Sequence, residues 1–212
     1  MKILVAGAAG AIGEMLTRDL AQAGHEVVGL VHSEDKLDKV RNAGAVPLQA
    51  DVTDRSSLDA PAKAADVVIF AAGSGGKAVG AVDRDGAINL IDAARDAGTQ
   101  RFVMLSSISA DQPENGPDDL QDYLKAKLAA DEHLVQSGLD YTIVRPGALK
   151  DDAATGQVRI ASRVNAENPH ITRADVAAVL AAVAERPETS GQTFELVQGE
   201  QPIAEAVDAL TV

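Results

Sequence analysis

Short apolar runs alternate along the chain with longer stretches in which apolar residues recur at helical spacing. The apolar runs predict strands at residues 3–6, 25–31, 46–50, 66–72, 101–105 and 140–144. The stretches between them predict a helix that ends near Gly24 and further helices at residues 34–41, 55–63, 82–97 and 119–136. Because strands and helices alternate, the pattern predicts a doubly wound α/β fold, in which a parallel sheet has helices on both faces.

The pattern weakens after residue 147. The segments predicted there are a strand at 158–161, a helix at 173–185 with Thr172 as its N-cap, a strand at 193–197 and a helix at 203–210. We therefore predict one domain over residues 1–212, in which residues 148–171 and 188–212 form a small region on the substrate side.

The turn after the first strand has a glycine at every third position. Gly7 allows a sharp turn, Gly10 allows a pyrophosphate to approach the backbone, and Gly13 allows the next helix to pack closely on the sheet. Free N–H groups at the start of that helix attract an anion. The turn predicts a dinucleotide phosphate site that consists of Gly7, Gly10, Ala11, Ile12 and Gly13. The alternative is a glycine-rich turn that binds nothing.

Residues at the other strand ends indicate which dinucleotide would bind, because ligands of such sheets lie at the carboxyl ends of the strands. After the second strand the chain has His32, Ser33 and Lys36 where an NAD site has an acid. These groups favour the 2′-phosphate of NADP, although a solvated helix start is the alternative. After the third strand, Asp51 and Val52 are candidates for the adenine edge, and Asp51 could equally cap the next helix. Further cofactor candidates follow the fourth strand: Ala71, Ala72 and Gly73.

A candidate catalytic group lies on the predicted helix at 119–136. Tyr123 and Lys127 are four residues apart, which places the phenol and the ammonium on one helix face. The charge of Lys127 is expected to lower the pKa of Tyr123 toward the range of a proton donor or acceptor. Ser107, at the end of the fifth strand, could hydrogen-bond a substrate oxygen, with Ser106 as the alternative.

Charge and composition restrict the remaining classes of function. The net charge of −13 argues against a nucleic-acid partner, which requires a basic face. The chain has no cysteine, and its four histidines lack metal-ligand spacing, so we expect no metal site. No apolar run is long enough for a membrane span, and the first strand begins directly after Met1. We therefore expect a cytoplasmic protein without a membrane partner.

Taken as a set, these motifs resemble the short-chain dehydrogenases/reductases. The similarity is to their atypical or extended branch, which includes NAD(P)-dependent epimerases and NAD(P)H-binding, flavin-reductase-like proteins. The stretches that resemble the family are residues 7–13, 31–37, 51–54, 105–107, Tyr123 with Lys127, and 143–147. The resemblance implies a Rossmann-type fold with a small C-terminal substrate-side region. It also implies a catalytic triad of Ser107, Tyr123 and Lys127.

The same resemblance assigns roles to further residues. Pro146 and Gly147 would form the turn that lines the nicotinamide, and Asn89 would match a structural asparagine. His32 departs from the family, because relatives often have arginine just after the second strand. This difference would weaken the grip on a 2′-phosphate.

The expected function is that of an NAD(P)-dependent oxidoreductase or epimerase-like enzyme. It would move a hydride between the nicotinamide and a carbinol or carbonyl carbon of a small, sugar-like substrate, while Tyr123 handles the proton. One alternative is a redox sensor that binds NADP(H) without turnover. The other is an NADPH-dependent flavin or quinone reductase that uses the same cleft without Tyr123.

Overall fold

The computed structural model describes residues 1–211, so Val212, which belongs to the predicted domain, lies outside the described residues. The strands are β1 (Lys2–Ala6), β2 (Glu26–Val31), β3 (Val46–Gln49), β4 (Val67–Phe70), β5 (Arg101–Leu105), β6 (Asp140–Pro146), β7 (Ala148–Lys150), β8 (Gln157–Ala161), β9 (His170–Thr172), β10 (Gln192–Gln198) and β11 (Gln201–Pro202). The helices are α1 (Ala11–Gln22), α2 (Leu37–Asn42), α3 (Asp59–Lys63), α4 (Ala87–Ala97), α5 (Gln121–Gln136), α6 (Arg173–Ala184) and α7 (Ile203–Asp208).

The central sheet has the strand order β11-β8-β10-β6-β5-β4-β1-β2-β3. The strands from β10 to β3 are all parallel, while β8 runs antiparallel to β10 and β11 runs antiparallel to β8. The chain moves outward from β1 in one direction through β2 and β3, and in the other through β4, β5 and β6. The switch point of this doubly wound α/β sheet therefore lies between β1 and β4, where ligands of such folds bind. The fold class predicted from the sequence is confirmed.

Alternating side chains of the strands build one apolar layer on each face of the sheet. On β1, Ile3 and Val5 pack with α1, α6 and α7, whereas Leu4 and Ala6 pack with α3, α4 and α5. Both layers consist of residues that are almost fully buried, so the parallel strands are apolar on both sides. The residues after each parallel strand are thereby held at one edge of a rigid sheet.

Several boundaries differ from the sequence prediction. β6 continues to Pro146, and the short strands β7, β9 and β11 were not predicted. The predicted helix at 82–97 begins instead as a π-helix over Val79–Gly86, which we call the π segment, and becomes an α-helix at Ala87. β3 lies at the edge of the sheet, as Pro47 predicted.

Candidate active site

The glycine turn lies at the switch point of the sheet. Gly7 has a φ of 83°, and a Cβ there would lie 2.6 Å from Cα of Ala72, in the loop after β4. A Cβ at Gly13 would lie 2.0 Å from the carbonyl oxygen of Gly7. Gly7 and Gly13 are therefore required by the close packing of β1, α1 and the loop after β4.

Gly10 differs from Gly7 and Gly13, because the packing of β1, α1 and the loop after β4 does not explain its role. It is exposed, and the nearest contact of a Cβ there would be the Gly7 carbonyl oxygen at 3.1 Å. Gly10 is the N-cap of α1, and within residues 1–211 no side chain caps this helix start. The first N–H groups of α1, including those of Ala11 and Ile12, are thus free to bind an anion. This observation fits a dinucleotide phosphate.

The residues after β2 form a small polar cluster at the carboxyl edge. His32 is exposed, and Lys36 Nζ lies 3.0 Å from the Asp35 carboxylate. Hydrogen bonds from Ser33 and then Lys36 lower the pKa of Asp35. Ser33 and Lys36 are therefore directed toward a neighbouring carboxylate.

The loop after β3 is held from two sides. The Asp51 carboxylate accepts hydrogen bonds from the backbone N–H and hydroxyl of Thr53 at 2.9 and 2.8 Å. The next helical turn is capped instead by Asp54, so the alternative role of Asp51 as that cap is wrong. Asn89 donates from Nδ2 to the carbonyl oxygen of Val52 at 2.9 Å. Asn89 thus fixes this loop beside the π segment.

Lys127 is buried where β4 and β5 end. Its Nζ donates to the carbonyl oxygen of Leu105, the last residue of β5, at 2.6 Å and lies 5.6 Å from the centre of the Phe70 ring. This hydrogen bond fixes α5 relative to the sheet. Tyr123 precedes Lys127 by one helical turn, about 6 Å along the axis. Because α5 runs antiparallel to β5 and β6, Tyr123 lies beyond the carboxyl ends of these strands. The glycine turn lies at the same edge of the sheet.

The expected effect of Lys127 on Tyr123 is wrong. Burial raises the pKa of Tyr123 to about 12, and the carboxylates of Asp83 and Asp131 act in the same direction. Burial also lowers the pKa of Lys127, although the carboxylates of Asp131 and Asp83 act to raise it. The phenol is therefore neutral at physiological pH, because desolvation and negative charge both disfavour the phenolate.

The two serines after β5 have different environments. Ser106 is buried and donates to the Asp131 carboxylate at 2.8 Å, and the same oxygen accepts hydrogen bonds from Arg145 at 3.0 and 3.1 Å. Ser106 is thus committed to a buried ion pair and is not available to a substrate. Ser107 is half-buried at the edge of the sheet. Of the two, Ser107 remains the candidate for a substrate contact.

The turn after β6 is a tight crossing of three segments. Pro146 accepts from the N–H of Ile108 at 3.0 Å, which ties it to the segment after Ser107. A Cβ at Gly147 would lie 2.7 Å from the carbonyl oxygen of Pro169. Gly147 is therefore required by packing against the segment that enters β9. Pro146 and Gly147 lie at the same edge as Ser107, as the sequence predicted.

A family model described as NAD(P)H-binding matches residues 7–187, from the glycine turn to beyond α6. The chain belongs to this NAD(P)H-binding family. The match includes the glycine turn, the loops after β2 to β6, and all of α5. A nicotinamide dinucleotide is thus the cofactor type that fits the free start of α1.

Relatives of this NAD(P)H-binding protein include oxidoreductase-like and epimerase-like members. An uncharacterized sugar epimerase of Bacillus subtilis, YhfK, is 38% identical over 217 residues, which cover 99% of this chain and 100% of YhfK. A Bacillus halodurans structure, provisionally named an NAD-dependent epimerase/dehydratase, has a TM-score of 0.94 at 37% identity and covers 99% of each chain. The anaerobillin reductase ChuY of Escherichia coli O157:H7 has a TM-score of 0.83 at 27% identity, covering 93% of this chain and 97% of ChuY.

Two buried acids near Tyr123 and Lys127 were not singled out from the sequence. Asp83 and Asp131 are each 2% exposed, and both act electrostatically on Tyr123 and Lys127. Asp131 could have been found, because it continues the helical spacing of Tyr123 and Lys127 by one more turn. Asp83 had no such signal, since it lies on an element that was predicted as an ordinary α-helix.

Among residues 1–211, no group of three or more His, Asp or Glu side chains is placed to hold a metal ion. His25 pairs with Glu185 and His133 with Asp92, at 2.8 and 2.9 Å. In the same part of the chain, every helix is too short or too polar to cross a bilayer.

Proposed function

We propose that the protein is an NADP(H)-dependent reductase of the short-chain dehydrogenase/reductase type, which converts a carbonyl carbon of a small substrate to a carbinol. The observation that carries this proposal is the placement of a neutral Tyr123 phenol beyond the end of β5, fixed by the Lys127–Leu105 hydrogen bond. The similarity to the anaerobillin reductase ChuY supports a reductive activity.

Each residue of the proposed triad has a role that follows from its position. A bound nicotinamide would supply the hydride that forms the new C–H bond. Tyr123 gives its phenolic proton to the substrate oxygen and recovers a proton from solvent, so the carbonyl becomes a hydroxyl group. Ser107 donates a hydrogen bond to that oxygen as negative charge develops on it. Lys127 holds α5 in place and has further N–H donors for the nicotinamide ribose.

The protonation state of Tyr123 favours one direction of reaction. A reduction begins with the protonated phenol, whereas the oxidation of a carbinol begins with the phenolate. With a pKa of about 12, the protonated form dominates at neutral pH. The site is therefore better suited to reduction.

Exchange of Tyr123 tests the proposal directly. Tyr123→Phe should lower kcat for NADPH-dependent reduction of small aldehydes, ketones and sugars by about 100-fold or more, because proton transfer typically contributes 10²–10⁴. NADPH affinity, measured by fluorescence titration, should stay within about twofold. Tyr141→Phe is the matched control, since the chain has only two tyrosines and Tyr141 lies near the amino end of β6. It should have the parental kcat.

Other outcomes of this experiment would contradict the triad. Unchanged reduction of quinones or flavins by Tyr123→Phe would favour a flavin or quinone reductase that uses the same cleft. Tight NADPH binding by the parent, with no turnover of any substrate, would favour a redox sensor.

The preference for NADP is a separate part of the proposal. His32, Ser33 and Lys36 form the polar cluster after β2, and a 2′-phosphate would compete with Asp35 for Lys36 and Ser33. We expect NADPH to bind several-fold more tightly than NADH, with only NADPH binding weakened in Lys36→Ala. Equal affinity for the two cofactors in a side-by-side titration would remove this preference.

A further inference from the structure

The π segment presents a buried acid to the active site. Asp83 is 2% exposed, and its Oδ2 accepts from the hydroxyl and the N–H of Ser74 at 2.6 and 3.2 Å. Ser74 belongs to the loop after β4, which also contains the cofactor candidates Ala71, Ala72 and Gly73. A Cβ on Gly73 would lie 3.2 Å from the other carboxylate oxygen of Asp83. Asp83 therefore anchors the loop after β4.

The same carboxylate faces the proposed catalytic helix. The π segment packs along α5, and the charge of Asp83 acts on both Tyr123 and Lys127. π-helical turns are rare and frequently occur at functional sites, because the wider turn redirects a side chain. Here the π segment brings a carboxylate from a separate element to the stripe of residues formed by Tyr123, Lys127 and Asp131.

Charged groups of both signs surround this stripe. Lys127 and Arg145 are positive, Asp83 and Asp131 are negative, and the carboxylate of Asp111 lies 3.6 Å from Arg145. Asp131 is already hydrogen-bonded to Ser106 and Arg145. Asp83 is hydrogen-bonded to Ser74 instead, and its charge acts on Tyr123 and Lys127 together with that of Asp131.

We propose that Asp83 is a positioning residue of this active site, which holds the loop after β4 through Ser74 and presents its negative charge to Tyr123 and Lys127 on α5. The consequence for catalysis rests on the proposed reductase function. The placement of Asp83 and its effect on the phenol do not, and they are testable without a substrate.

Several other charged groups lie on elements that pack against α5. Arg145 on β6 pairs with Asp131, and Asp92 on α4 pairs with His133 on α5. Arg84, next to Asp83, pairs with Asp85. Asp118 and Asp119 lie in the turn before α5. Lys125 lies in the first half of α5. The carboxylates that act on the Tyr123 phenol are those of Asp83 and Asp131.

The composition of the chain makes the Tyr123 phenol directly observable. There is no tryptophan, and Tyr141 is the only other tyrosine. In a Tyr141→Phe background, the ultraviolet absorbance of tyrosinate reports Tyr123 alone. The variants to compare in this background are Asp83→Asn, which keeps an oxygen acceptor for Ser74 but removes the charge, and Ser74→Ala, which removes the hydrogen bond but keeps the charge.

We expect Asp83→Asn to lower the midpoint of tyrosinate formation by roughly one pH unit, since a nearby charge shifts a pKa by about that amount. At about pH 10.5, several-fold more tyrosinate should then form in Asp83→Asn than in the parent. Ser74→Ala should leave this fraction close to the parental value. Far-ultraviolet circular dichroism at the same pH should show that each variant is folded. If Asp83→Asn unfolds, Asp83→Glu, which keeps the charge, replaces it as the test variant. Asp83→Glu should form the same fraction of tyrosinate as the parent.

Three results would overturn the proposal. Equal tyrosinate fractions in the parent and Asp83→Asn would show that the charge of Asp83 does not reach the phenol, and an altered fraction in a folded Asp83→Glu would show that a charge at this position does not control the phenol. An equally large increase in Ser74→Ala would show that loop position, not charge, controls Tyr123. In turnover assays, Asp83→Asn should bring the alkaline loss of reductase activity to lower pH. If the titration shifts but Tyr123→Phe keeps full activity, only the proposed function fails.

Discussion

Two helices of equal length, α1 and α6, pack against each other on one face of the sheet and begin in opposite ways. α6 begins at Thr172, whose hydroxyl oxygen accepts from the N–H of Asp175 at 3.0 Å. α1 begins at Gly10, which has no side chain to accept a hydrogen bond. The N-terminus of α6 is satisfied within the protein, whereas that of α1 is left for a ligand.

The surroundings of the two helix starts extend this difference. The Asp175 carboxylate accepts from the N–H groups of Thr155 and Gly156 at 2.8–3.1 Å, and also from the hydroxyl of Thr172 at 2.9 Å. It therefore joins α6 to the loop before β8. Gly10, at the start of α1, is exposed at the carboxyl edge. The capped helix start at this edge thus serves stability, whereas the uncapped one leaves N–H donors for the proposed phosphate.

The largest expected effect is that of Asp175→Ala. Its removal leaves the N–H groups of Thr155 and Gly156 and the hydroxyl of Thr172 without their acceptor, so the free energy of unfolding should fall by about 3 kcal/mol at neutral pH. NADPH affinity of the folded protein should not change. Urea unfolding and cofactor titration measure the two quantities. A loss of affinity without a loss of stability would mean that the two helix starts do not differ as described.

The same residue makes a pH-dependent contribution. Burial acts to raise the pKa of Asp175, but the hydrogen bonds from Thr155, Gly156 and Thr172 together lower it below the usual 3.8. Because its folded-state pKa is depressed, the contribution is complete above the unfolded-state pKa and is lost as the pH falls through the folded-state pKa. The stability difference between the parent and Asp175→Ala should therefore shrink below about pH 4.

Gly10→Ala should have the next largest effect. In contrast to Asp175→Ala, it should weaken NADPH binding and have little effect on the free energy of unfolding. The added Cβ would lie 3.1 Å from the Gly7 carbonyl oxygen, a tight contact that a small backbone shift relieves, so the free energy of unfolding should fall by only about 0.5 kcal/mol. NADPH binding should weaken by about tenfold or more, because the methyl group lies where a pyrophosphate must approach. Parental NADPH affinity in this variant would contradict a phosphate site at α1.

Thr172→Ala gives the smallest effect and is the matched counterpart of Gly10→Ala. Loss of an N-cap acceptor costs about 1 kcal/mol of stability, and the cofactor should bind as in the parent. Thermal unfolding followed by circular dichroism, with and without NADPH, measures both. The comparison is sharpened if NADPH raises Tm of Thr172→Ala as much as that of the parent, while Gly10→Ala gains less.

Much of the fold could be predicted from the chain because its signals are local. The apolar runs gave β1, β2 and β5 to within a residue, and Thr172 was identified as the cap of α6. Short strands such as β7 and β9 were missed. They form by pairing with each other, although β8 lies between them in the sequence. Their pairing partners are not visible in any local window of sequence.

The candidate site could be predicted only in part. The spacing of Tyr123 and Lys127 correctly places them on one face of α5. It could not predict that burial would outweigh the charge of Lys127 and raise the pKa of Tyr123. Asp83 and Asp131 were hidden among 32 acidic residues, because burial cannot be recognised from residue type.

The sequence by itself determined the alternation of strands and helices, the glycine turn and the residues available at each strand end. These properties depend on backbone conformation and on spacings of a few residues, which local sequence encodes. Only the tertiary structure decided which charges are buried together and that the π segment brings Asp83 to the helix of Tyr123. Desolvation and Coulomb interactions depend on contacts between distant parts of the chain, so they exist only once the chain has folded.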